Sequence, residues 1–172
     1  MTAGLQGTFA LDNDGRVWGW GYNEDGEVGI PGPKTVTVPT PIPDLPPVAA
    51  LSAAGHNALA LDLNGTLWCW GRQYSTGCGQ ADDSGAFAVR RPVPVPIPAP
   101  VLHAELHGNA AFAFTADAVW VWGSDVITHY ADQSAVTTTL SYSRVVAPAR
   151  LAGFTGAVSF AASTSTIFAI AG

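Results

Sequence analysis

The sequence predicts an all-β repeat fold, and three observations carry that prediction. A tryptophan signature is written three times, its apolar residues alternate with a period of two, and turn chemistry separates the apolar segments. The signature is Trp18-Gly19-Trp20-Gly21, Trp68-Cys69-Trp70-Gly71 and Trp120-Val121-Trp122-Gly123, and it holds all six tryptophans of the chain. Fifty residues separate Trp20 from Trp70 and 52 separate Trp70 from Trp122. A period near fifty marks a repeat architecture. The 172 residues then divide as a single repeat domain with units at 1–47, 48–100 and 101–157 and a C-terminal stub at 158–172.

Residues two apart on a strand point to one face. Each tryptophan pair therefore shares a sheet surface, while Val17 and Gly19, Leu67 and Cys69, or Val119 and Val121 take the other. Both faces are apolar, which predicts strands buried between layers, with Trp18, Trp20, Trp68, Trp70, Trp120 and Trp122 as the core of the repeat. The glycine after each pair reads as a strand end or sharp exit.

Upstream of each signature strand lies a shorter one, at Phe9-Ala10-Leu11, Leu59-Ala60-Leu61 and Phe112-Ala113-Phe114. The intervening Asp12-Asn13-Asp14-Gly15 and Asp62-Leu63-Asn64-Gly65 are hairpin turns by composition. The third turn, Thr115-Ala116-Asp117, is shorter and lacks the glycine. A further strand leads into the later hairpins, at 48–51, 101–106 and 158–160. After each signature comes a polar loop of variable length, and Thr137-Thr138-Thr139 in the third reads as an extra strand. Proline recurs at every second position in Val38–Pro43 and Arg91–Pro100, and more weakly in 145–151. Such segments cannot donate to a central ladder, so they belong at sheet edges, where they oppose aggregation.

The chain is 48% hydrophobic but only 12% charged, with net charge −6 and Lys34 as its single lysine. A surface so poor in charge predicts coverage by another chain. Without clustered Lys and Arg, neither nucleic acid nor an anionic membrane is expected as a partner. The N-terminus has no basic segment followed by an apolar one, so synthesis in the cytoplasm without a signal peptide is expected. Cys69 and Cys78 match no metal or redox spacing and indicate no disulfide framework. His103 and His107 lie four apart in an extended context with no third ligand evident, and Asp12-x-Asp14-Gly15 lacks the later ligands of a calcium loop. No metal, no cofactor and no catalytic constellation is expected, hence no enzyme.

Taken together, Ala53-Ala54-Gly55-His56-Asn57-Ala58-Leu59-Ala60-Leu61, Asn64-Gly65-Thr66-Leu67-Trp68-Cys69-Trp70-Gly71 and Gly21-Tyr22-Asn23-Glu24-Asp25-Gly26-Glu27-Val28-Gly29 resemble the regulator of chromosome condensation repeat family. The resemblance implies a β-propeller of antiparallel blades. It also implies a hydrogen-bonding structural role for His56. With about three blades, the chain is expected to form a partial propeller, or one completed by copies of itself head to tail. The expected function is a non-catalytic interaction or assembly module that presents variable loops to a protein partner or to further copies, a repeated virion decoration or tail subunit being one form. Two alternatives follow from the family: guanine-nucleotide exchange on a small GTPase, and tryptophan-based light sensing. The sensor's Gly-Trp-Arg-His-Thr motif is absent. The loop residues expected to touch a partner are Tyr22, Asn23, Glu24, Asp25, Tyr74 and Tyr130, since exposed tyrosine is a common interface anchor.

Overall fold

A computed structural model describes residues 1–73, 77–79, 88–127, 142–150, 157–162 and 167–171. Its architecture is a partial β-propeller of three four-stranded antiparallel blades followed by a two-stranded sheet. Blade one orders β1 (Thr2–Ala3), β2 (Gly7–Leu11), β3 (Val17–Tyr22) and β4 (Thr35–Pro41). Blade two repeats this as β5 (Val48–Ala54), β6 (Asn57–Asp62), β7 (Leu67–Arg72) and β8 (Ala88–Pro94). Blade three is β9 (Val101–His107), β10 (Ala110–Thr115), β11 (Val119–Ile127) and β12 (Tyr142–Arg150). The last sheet pairs β13 (Ala157–Ala162) with β14 (Ile167–Ala171). The proline-rich segments form the outer edges β4 and β8, as their missing donors require. Blade one does possess an inner strand, the two-residue β1, which the sequence pattern did not reveal. The Thr137–Thr139 segment lies outside the described residues.

The tryptophans share one face, and the reason is visible in the register. In blade two, Trp70 pairs across with Ala58 and Trp68 with Ala60. In blade three, Trp122 faces Ala111 and Trp120 faces Ala113. Each of these four indoles thus lies beside the smallest apolar side chain, which leaves room for the ring. The opposite face carries Phe9, Leu59 or Phe112 with their neighbours. Blades stack large face to tryptophan face. Trp70 packs with Phe9, Val17 and Ile42 of blade one, meeting the Phe9 ring edge-on at 5.6 Å between centroids. Trp122 packs with Leu59, Leu67 and Cys69 of blade two. Both rings are fully buried, each stabilising the stack by up to about 5 kcal/mol at ~25 cal/mol/Å².

The glycine of each signature does not end its strand. The strand continues through a break in register with the outer strand, between Gly19 and Gly21, Cys69 and Gly71, and Val121 and Gly123. Gly21, Gly71 and Gly123 have φ of +125°, +113° and +121°. A Cβ on them would lie 2.3, 2.2 and 2.1 Å from the carbonyl oxygens of Gln6, His56 and Asn109 respectively. The glycine is therefore required by a bulge seated on the preceding hairpin's backbone.

The hairpin turns do more than reverse the chain. Asp12 Oδ1 accepts from the backbone N–H of Asp14 and Arg16, while Oδ2 accepts from Trp18 Nε1 at 2.9 Å. Asp62 does the same with Asn64, Thr66 and Trp68 Nε1, the last at 3.1 Å. One carboxylate caps the turn and orients the first indole. In blade three Thr115 stands in its place, bonding Asp117 and Ala118 instead, and Trp120 Nε1 finds no acceptor among the described residues. Burial opposes ionisation of Asp62, but the Trp68 indole and the N–H groups of Thr66 and Asn64 outweigh it and hold its pKa below the usual carboxylate value. A depressed folded pKa means the stabilisation is complete above the unfolded pKa of about 4 and fades as pH falls through the lower folded value. Asp62→Ala is expected to cost about 1–2 kcal/mol at pH 7, and this deficit should shrink as pH falls below about 4, as read by urea denaturation at each pH.

Candidate functional site: the loops after the tryptophan strands

The loop after β3 is built around Asn23. Its side chain is buried and satisfies three backbone groups: Nδ2 donates to the carbonyls of Ile30 and Pro33 at 2.7 and 3.0 Å, and Oδ1 accepts from Val28 N–H at 3.0 Å. A loop folded back on itself must satisfy its own inward N–H and C=O groups, and a short amide supplies both donor and acceptor. Glu27, also buried, accepts from Asp25 N–H at 2.8 Å and lies 3.5 Å from His56 Nδ1 of blade two. Asp25 reaches the same blade through Arg72 Nε at 2.9 Å. Gly29 sits so close to the Trp70 ring that a Cβ would approach it to 2.8 Å. The loop of one blade is thus a clasp on the next.

Two of the six residues expected at a partner interface form one exposed group. Tyr22 is 38% exposed, and its hydroxyl donates to Glu24, whose other oxygen receives Lys34 Nζ at 2.6 Å. The Lys34 ammonium, then the Tyr22 hydroxyl, hold the Glu24 carboxyl below its usual pKa, and the Glu24 carboxylate raises that of the Tyr22 phenol. Asp25 is half-buried at the blade junction, and Asn23 is sealed inside the loop. Tyr74 and Tyr130 lie outside the described residues.

The expectation of no disulfide is corrected: Cys69 and Cys78 are joined, with Cα atoms 5.3 Å apart. The turn Gly77–Gly79 sets Cys78 against Cys69 of β7, a contact that a spacing of nine residues did not announce. The His56 imidazole shows no hydrogen bond at its buried Nδ1 among the described residues, and it is the backbone carbonyl of His56 that bonds, accepting from Arg72 N–H at 3.2 Å.

On β9 the row His103, Glu105, His107 is also new. Glu105 lies between the two imidazoles, 2.7 Å from each Nε2. Burial opposes its ionisation, yet His107 and His103 keep its pKa below the ordinary value. The carboxylate is consumed by these bonds, and among the described residues no group of three His, Cys, Asp or Glu is placed to hold a metal ion. At the hairpin end, opposite the loops, Asn64, Thr66, Val95, Ile97 and Pro98 line a depression of about 210 Å³. That is below the range typical of small-molecule sites. Among the described residues no helix is long and apolar enough to cross a membrane.

Residues 14–61 match the family model described as Regulator of chromosome condensation (RCC1) repeat. The chain is 34% identical over 125 residues to the mitochondrial RCC1 domain-containing protein RUG3 of Arabidopsis thaliana, covering 67% of this chain and 28% of that protein. It is 33% identical over 103 residues to Protein pim1 of Schizosaccharomyces pombe, covering 52% of this chain and 19% of pim1. Among solved structures, yeast RCC1 (Prp20), determined bound to Kap60, superposes with a TM-score of 0.70 at 22% identity over 86% of this chain and 35% of that one. The chain therefore spans less than a third of the length of RUG3 and less than a fifth of pim1.

Proposed function

The chain belongs to the regulator of chromosome condensation repeat family, and on that premise we propose that it is a non-catalytic protein-interaction module whose blades hold variable loops out to a protein partner. The observation that carries this reading is the division of labour in the first loop. Asn23 and Glu27 turn inward and fix its shape, while Tyr22, Glu24 and Lys34 face outward as a ready-made polar and aromatic group. A preorganised loop loses little conformational freedom on binding, which favours affinity. The similar yeast protein is itself seen with another chain, Kap60.

The test is affinity enrichment followed by titration of the enriched protein. Tyr22→Ala with Glu24→Arg should weaken binding at least tenfold, by loss of an aromatic anchor and reversal of a charge. Leu63→Ser, at the hairpin end and 71% exposed, should leave it unchanged. Equal loss in both variants, or in neither, rejects the loop surface. Addition of the chain to a GDP-loaded small GTPase provides a separate arm, in which faster nucleotide release would move the reading to an exchange factor. Self-association, including a role as a repeated particle subunit, is the narrower form of the proposal. Light scattering on the purified chain tests it, and a monodisperse monomer removes it.

A further inference from the structure

Position for position, Cys69 and Cys78 of blade two stand where blade one has Gly19 and Val28. In each blade the first residue lies between the two tryptophans and the second lies eight beyond the latter of them. Blade one makes the same closure without a covalent bond: a Cβ on Gly19 would lie 2.7 Å from Val28 Cγ1, and Val28 is fully buried. The loop can therefore fold back on van der Waals contact alone. In blade two the contact is a cystine, with both residues fully buried. Cys78 also has φ +35°, in the left-handed region that side chains disfavour. Val28 has no such conformation.

The cystine governs more than its own loop. The turn Gly77–Gly79 rests on β11 and β12 of blade three. A Cβ on Gly79 would lie 3.0 Å from both Pro148 Cδ and Val95 Cγ1. Whatever loosens Cys78 loosens the clasp of blade two on blade three.

We infer that Cys69–Cys78 is a redox-operated latch: oxidised, it locks the turn Gly77–Gly79 onto the next blade; reduced, it frees that turn while the blades stay folded. The reductant is a dithiol. Its thiolate attacks one sulfur of the cystine, giving a mixed disulfide, and its second thiolate then displaces the protein sulfur. Two electrons and two protons pass to the protein, leaving two thiols, and the reductant ends as a disulfide. Because both sulfurs are buried, attack follows a local opening of the turn Gly77–Gly79, and release from φ +35° at Cys78 favours the open form afterwards.

The test is hydrogen exchange on the purified chain with and without dithiothreitol. Oxidised protein, denatured under acid, should show no free thiol. On reduction, the amides of Gly77, Cys78 and Gly79 should exchange at least tenfold faster, those of β6 should stay protected, and the melting temperature should fall by about 5–10 °C. Reoxidation should restore all three. Cys69→Gly with Cys78→Val, which transplants the pair of blade one, should fold and ignore dithiothreitol; Cys78→Ala serves as a second unresponsive variant should the double replacement fail to fold. Two free thiols in the oxidised protein, exchange unmoved by reduction, or loss of the whole fold on reduction would each overturn the inference. Any effect of the latch on partner binding rests on the loop-surface reading above. The exchange result does not, so the two can fail separately.

Discussion

Gly71→Ala is expected to destabilise the chain by about 3–5 kcal/mol, as a lowered urea midpoint at unchanged slope. Two costs combine. At φ +113° an alanine is strained whatever surrounds it, and the new methyl would lie 2.2 Å from the His56 carbonyl oxygen. That oxygen cannot withdraw cheaply, because it already accepts from Arg72 N–H. Gly32→Ala separates the two costs. Gly32 has nearly the same φ, +121°, but no atom of the described residues lies within 4 Å of its Cβ position, so only the backbone strain of about 1–3 kcal/mol should appear. Equal losses at the two positions would show that the collision with His56 is relieved by movement and that the bulge is not pinned by the hairpin.

What could be read from the sequence was whatever repeats locally. The two-residue spacing of the tryptophans identified a strand and its faces, and the Asp-to-Gly segments identified hairpin turns, because both signals lie within a few consecutive residues. What could not be read depends on atoms brought together from a distance. The signature glycine reads as an exit until the His56 carbonyl is seen beneath it. Asn23 and Glu27 look like surface residues because loops are usually polar outward, yet this loop folds over its own backbone and needs polar atoms inside. The bond from Asp62 to Trp68 was latent in the alignment of the copies. Aspartate stands six residues before the first tryptophan in two of them, and its replacement by Thr115 in the third coincides with an indole that has no acceptor among the described residues. The cystine had a similar clue: its two positions are matched by Gly19 and Val28, but their contact exists only in three dimensions.

Trp70→Ala is expected to cost about 3–5 kcal/mol, because removing a fully buried aromatic loses its transfer energy and leaves a cavity the neighbours only partly fill. The indole touches two blades at once, lying beside Ala58 in its own sheet and against Phe9, Val17 and Ile42 of blade one. Alanine opposite Ala58 would leave Phe9 without its edge-on partner, so the loss falls on the junction and not on blade two alone. Trp70→Phe should recover a large part of it, since its Nε1 has no acceptor among the described residues and no hydrogen bond is given up. Trp20→Ala should cost distinctly less, because the equivalent ring in blade one is only half-buried and faces Thr8 across the strand. Denaturant unfolding of the three variants checks the order. If Trp20→Ala proved as damaging as Trp70→Ala, the stability of the stack would lie within each blade and not in the large-face-to-tryptophan junctions between them.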